Sequence, residues 1–145
     1  MNGTALITGA SSGLGLEFAR QLDGRVSHFI LVARRGEKLQ ALAASLSTPS
    51  TIIEQDLSLA DSPGALCERI EVLGLTVDVL INNAGIAGPH LLSVTEYSEQ
   101  RRFEQLMMNT VAELCSRLIP RMQSRGEGWV VNVASVAGRF PSSDS

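Results

Sequence analysis

The sequence predicts an α/β fold, a doubly wound parallel sheet in three αβα layers, and three observations carry that prediction. Short apolar runs alternate with segments whose apolar residues recur at helical spacing. One run, His28 to Ala33, is continuously apolar, as a strand covered on both faces must be. Glycines gather where the first apolar run gives way to the first helical segment, the usual punctuation of a βα turn.

The elements follow in order. Ala5-Leu6-Ile7, starting near Thr4 and ending at Thr8-Gly9, is the first strand. Leu14, Phe18 and Leu22 mark one face of the first helix. After the strand at His28–Ala33, Leu39, Leu42, Ala43 and Leu46 form a second helical stripe, which Pro49 and Ser50 break. Thr51-Ile52-Ile53 is a third strand, ending near Asp56. Leu66, Ile70 and Leu73 mark a third helix, and Val77 to Ile81 a fourth strand that runs into Asn82-Asn83-Ala84-Gly85. A long helix is predicted from about Thr95 to Ser124, with Phe103, Leu106, Thr110, Leu114 and Leu118 on its buried side. Pro120 should bend it, because proline removes a backbone donor. Trp129 to Val133 is the fifth strand, followed by a polar tail from Gly138 to Ser145. Alternating strands and helices imply right-handed crossovers. The expected strand order is 3-2-1-4-5, with a nucleotide crevice at the switch between strands 1 and 4.

The bulk numbers narrow the function. A length of 145 residues suits one domain, 1–145, and the 44% hydrophobic and 19% charged shares are those of a globular chain. A net charge of −3 and 4% aromatics disfavour nucleic acid, which needs a basic field and stacking platforms. Cys67 and Cys115 stand in helical segments without metal-ligand spacing, so no metal is expected and both thiols should be reduced and packed. No apolar run approaches a membrane span, and Met1 to Thr8 lack the form of a secretory leader, so the expected location is cytoplasmic.

The chemistry is concentrated in Thr8-Gly9-Ala10-Ser11-Ser12-Gly13-Leu14-Gly15. Three glycines at the first βα junction allow a tight turn and let a pyrophosphate approach the backbone. The helix that follows offers free N–H groups and the positive end of its dipole. The spacing is G-x-x-x-G-x-G rather than the commoner G-x-G-x-x-G, and a glycine-rich turn alone could be purely structural.

Together with Asn82-Asn83-Ala84-Gly85, Asp56-Leu57, Asn109 and Asn132-Val133-Ala134-Ser135, this turn resembles the single-domain short-chain dehydrogenase/reductase family, over Thr4 to about Ser135. The resemblance implies a Rossmann-like nicotinamide-dependent oxidoreductase. It implies that Gly9, Gly13 and Gly15 shape the phosphate turn, that Ser11, Ser12 and Leu14 lie along the cofactor, and that Asp56 and Leu57 flank the adenine. Asn83, Ala84 and Gly85 would line the wall beside the ribose. Asn109 would anchor a water in the proton relay, and Ser135 would bond the substrate carbonyl or alcohol. Singly, each has a plainer reading: Asp56 as a turn cap, Asn82 serving neighbouring strands, Asn109 as an exposed helix residue, Ser135 as a turn serine.

The residue that reads the ribose ends the second strand, about 20 positions past the glycine turn. A carboxylate there would bond the 2′-hydroxyl and repel a 2′-phosphate. The segment is Val32-Ala33-Arg34-Arg35, with no acid. Arginines take phosphate through charge-assisted bonds. NADP(H) is therefore expected over NAD(H), with Arg34 the main contact and Arg35 the lesser. The alternative is two solvated arginines at a helix start.

The family transfers its proton with a tyrosine and a lysine four residues later. The only tyrosine here is Tyr97, four residues before Arg101, and the only lysine is Lys38. Arginine stays charged and shuttles no proton near neutral pH. The domain is thus expected to be incomplete at its C-terminal end, poorly active alone, and left with the fifth strand as an apolar edge that invites association. The leading expectation is an oxidoreductase for a ketone, aldehyde or secondary alcohol. The competing readings are a non-catalytic NADP(H)-binding module and a structural fragment. Homo-oligomerisation through the long helix fits the leading reading, His90 is a candidate for the pocket rim or a loop histidine, and His28 reads as a packed or edge residue.

Overall fold

A computed structural model of the chain describes residues 3–86 and 97–135. Five strands, β1 (Thr4–Thr8), β2 (His28–Ala33), β3 (Ser50–Glu54), β4 (Val79–Asn82) and β5 (Trp129–Asn132), form one parallel sheet in the order β3-β2-β1-β4-β5. This is the predicted order. The register sets Leu6 beside Ile30 and Leu80, and Asn82 beside Asn132.

Alternation along the strands divides the core in two. Ala5, Ile7, Phe29, Leu31, Val79 and Ile81 pack with α1 (Gly13–Leu22) and α2 (Gly36–Ser45). Leu6, Ile30, Val32, Ile53 and Leu80 pack with α3 (Ser62–Val72) and α5 (Thr110–Arg125). The central strands β1, β2 and β4 are thereby covered on both sides, and each fully buried Leu, Ile or Phe contributes about 1.5–3 kcal/mol through burial.

The predicted long helix is three consecutive pieces: α4 (Tyr97–Glu104), a π-helical turn at Gln105–Asn109, and α5. The widened turn has no signal in the apolar spacing. It keeps Leu106 on the buried side as the chain passes into α5. α5 continues through Pro120 and ends at Gly126 in the left-handed conformation, φ 77°. Two expected core residues are exposed. Leu14 is 61% exposed, because Gly15 and Ala19 hold the buried line of α1, and Leu73, 48% exposed, lies past the end of α3. The tail 138–145 and His90 lie outside the described residues.

At the edge of the described sheet, every residue of β5 is exposed, Trp129 at 61%, Val130 at 37% and Val131 at 38%. No helix among the described residues is long and apolar enough to cross a membrane. Both cysteines are free, Cys67 buried and Cys115 partly so.

Candidate cofactor and active site

The carboxyl ends of β1 and β4 meet around one hydroxyl. Thr8 Oγ1 donates to the Ile81 carbonyl (3.3 Å) and accepts from the amides of Asn83 and Ala84 (3.0 Å each). All its hydrogen-bonding capacity is used, in a buried position. The Asn83 side chain completes the clasp, its Nδ2 donating to the carbonyls of Thr8 (3.0 Å) and Gly9 (3.3 Å). The glycine turn is thus braced from behind.

Glycine is needed there for two separate reasons. Gly9 has φ 67°, and a Cβ on it would sit 2.8 Å from the Ala84 Cα. A Cβ on Gly15 would run into the Asn83 amide and the Gly9 carbonyl. α1 therefore starts hard against the turn, its N-cap Ser12 extended and making no side-chain capping bond.

In front of this turn lies an open cavity of about 590 Å³, within the usual range for small-molecule sites. It runs from Arg34, Arg35, Asp56 and Leu57 at the β2–β3 side, past Gly9, Ser11, Ser12 and Leu14, to Asn83, Ala84, Gly85 and Ser135. Those residues come from five separate stretches of chain, and the fold brings them to one crevice. Gly13 and Gly15 shape the turn without lining the cavity. Asn109 does not reach it: exposed in the π turn, its Nδ2 donates to Gln105 Oε1 (3.1 Å), while its neighbours Leu106 and Met107 line the wall. Tyr97, 68% exposed, and Lys38 are absent from the lining.

The two arginines part company. Arg35 Nη2 donates to Ser11 Oγ (3.1 Å) and Ser12 Oγ (3.0 Å), so its guanidinium lies over the phosphate turn. Arg34 lines both this cavity and a smaller one beside it, of about 270 Å³, next to Ser58, Glu99, Arg102 and Phe103. The lesser of the two expected contacts is the one tied to the turn.

Asp56 is held by neighbours that spacing could not show. Its Oδ1 accepts from the Ser58 amide (3.0 Å) and hydroxyl (2.7 Å), and its Oδ2 pairs with Arg102 Nη2 (2.9 Å). Partial burial pushes the carboxyl pKa up. The bonds from Ser58 and the charges of Arg102 and Arg34 outweigh that and hold it below the ordinary value.

Asn82 is buried rather than displayed. Its Nδ2 donates to Asn132 Oδ1 (2.9 Å) and approaches Cys115 Sγ (3.5 Å), and its Oδ1 has no partner among the described residues. His28 Nε2 bonds Thr51 Oγ1 (2.9 Å) between β2 and β3, a packed strand residue as expected. Sequence reasoning gives Thr8 only as the head of the glycine turn, since its clasp depends on β4 arriving beside β1, and gives no place to Arg102, whose partner Asp56 lies 46 residues away.

A family model described as short chain dehydrogenase matches residues 3–144. The chain belongs to the short-chain dehydrogenase family. It is 35% identical over 145 residues to a very-long-chain 3-oxoacyl-CoA reductase of Pyrenophora tritici-repentis, an alignment covering 94% of this chain and 42% of that protein. It is 32% identical to 17-beta-hydroxysteroid dehydrogenase type 3 of Danio rerio, over 94% of this chain and 47% of that one. A short-chain dehydrogenase from Sphingobium yanoikuyae, solved in complex with NADPH, superposes with a TM-score of 0.88 at 31% identity, over 98% of this chain and 57% of its own. A metagenomic short-chain oxidoreductase in complex with NADP gives 0.87 at 29%, over 99% of this chain and 66% of its own. The short-chain dehydrogenase chain thus spans about half the length of the curated relatives it matches. The relatives it matches are named as reductases and dehydrogenases, and two of the solved structures carry NADPH or NADP.

Proposed function

We propose that this chain binds NADP(H) in preference to NAD(H) and contributes the cofactor half of an oxidoreductase for a ketone, aldehyde or secondary alcohol. The observation that carries the preference is the end of β2: no carboxylate, Arg34 facing the crevice, and Arg35 bonded to the serines of the glycine turn. Two relatives in fold bind NADPH or NADP, in support.

The residues present fit the cofactor. Gly9 and Gly15 let the turn close against Asn83 and Ala84, Ser11, Ser12 and Arg35 offer donors to phosphate oxygens, and Arg34 offers a cation for the 2′-phosphate. Asp56 and Leu57 would flank the adenine, with Ala84 and Gly85 beside the ribose. When bound, the nicotinamide supplies or takes up the hydride. Ser135, in the cavity lining beyond β5, would hydrogen-bond the substrate oxygen. The neighbouring apolar wall of Leu106 and Met107 would limit water there. Among the described residues no tyrosine–lysine pair lines the cavity, which favours a second reading of these 145 residues as a binding module without turnover.

Calorimetric titration with NADPH and NADH tests the preference. The expected result is at least roughly tenfold tighter NADPH binding, about 1.4 kcal/mol, selectively weakened by Arg34→Ala and by Arg35→Ala. Equal or tighter binding of NADH would defeat it.

A further inference from the structure

One side chain of α4 crosses to the adenosine end of the crevice. Arg102 reaches the loop between β3 and α3, where Nη2 meets Asp56 Oδ2 (2.9 Å), and Nε and Nη2 meet Ser58 Oγ (3.3 and 3.2 Å). Ser58 in turn donates its hydroxyl to the other oxygen of Asp56. The carboxylate is engaged on both oxygens.

The placement has an electrostatic consequence. Asp56 is the only acidic residue among the described lining of the larger cavity, where Arg34 and Arg35 also stand. A bare carboxylate there would repel a phosphate dianion at distances that salt at physiological strength screens poorly, within about 8 Å. It would also compete for Arg34, whose charge it already feels. Arg102 lines only the smaller neighbouring cavity, with Glu99 on its own helix.

We propose that Arg102 is a specificity-determining residue for the cofactor: by pairing with Asp56 it neutralises the carboxylate at the adenosine end and leaves Arg34 and Arg35 for the 2′-phosphate. Arg102 acts through Asp56 and is a positioning residue. The inference rests on the NADP(H) reading above.

The test uses two adenosine fragments that need no turnover, 2′,5′-ADP and 5′-AMP, titrated calorimetrically into the whole chain. The readout is the ratio of their dissociation constants. Arg102→Met should lower the preference for 2′,5′-ADP about two- to fivefold, the scale of an exposed ion pair. Arg102→Lys should retain most of it. The double variant Arg102→Met/Asp56→Asn should recover the wild-type ratio, because the charge to be neutralised is gone. If the methionine variant fails to fold by circular dichroism, Arg102→Gln is read the same way. An unchanged ratio in Arg102→Met, or a low ratio that persists in the double variant, overturns the role of Arg102. A wild-type ratio near one overturns instead the NADP(H) reading beneath it.

Discussion

At the residue scale, the shape of the site depends in part on residues that do not line the cavity, Thr8 and Gly15 among them. The hydroxyl of Thr8 is the junction of β1 and β4, and valine there would take the acceptor from two part-buried amides and remove the bond to the Ile81 carbonyl. Such a loss costs about 1–3 kcal/mol. Urea titration of Thr8→Val should show a fall of that size, with a parallel loss of cofactor affinity; an unchanged midpoint would remove Thr8 from the account. Gly15→Ala should cost about 1–3 kcal/mol by overpacking, since its methyl meets the Asn83 amide and the Gly9 carbonyl. Both effects are read in the same titration. The glycines were legible in the sequence because a turn between strand and helix is a local event. The clasp of Thr8 and Asn83 was not, because its partners are about 75 residues apart in the chain.

At the element scale, the order and type of the strands were legible almost completely. Continuous apolar runs such as His28 to Ala33 can only be satisfied inside a covered sheet. The π turn was not, because the widened turn changes hydrogen bonding without breaking the apolar stripe, and it leaves Asn109 outside the cavity lining. At the opposite end of the sheet, Asp23 ties the end of α1 to the approach to β3 through the amides of Ser47 and Thr48. Those backbone bonds, against a small desolvation penalty and helped by the two side chains, lower its pKa from 3.8 to about 2. A depressed folded-state pKa means a stabilisation present above pH 3.8 and lost as pH falls toward about 2. The melting temperature of the wild type should therefore drop more steeply across that window than that of Asp23→Asn; parallel curves would contradict it. The outer edge at β5 belongs to this scale too. With Val130 and Val131 exposed, a polypeptide of these 145 residues should self-associate as its concentration rises. Val131→Lys should suppress that in sedimentation, and an identical concentration dependence would point elsewhere.

At the scale of the whole molecule, the proposed cofactor crevice lies apart from the sole tyrosine and lysine of these 145 residues. The crevice gathers its glycine turn, its two arginines and the loop of Asp56 and Leu57 from residues 9–57, while Tyr97 and Lys38 are absent from its lining. A missing general acid typically costs a factor of about 10²–10⁴. A polypeptide of these 145 residues should bind NADPH yet oxidise it with a carbonyl substrate at a rate reduced on that scale; ordinary turnover in a spectrophotometric assay would refute this. The packing of α3 on α5 has a use of another kind. Cys67 is 3% exposed, and desolvation, against the opposing pull of Arg117 and Arg121, pushes its thiol up to about 11. Alkylating reagents attack the thiolate, so this buried sulfur should react slowly while α3 stays packed on α5. The rate at which a thiol reagent is consumed at Cys67 then counts openings of the fold under native conditions, with no denaturant and no extrapolation.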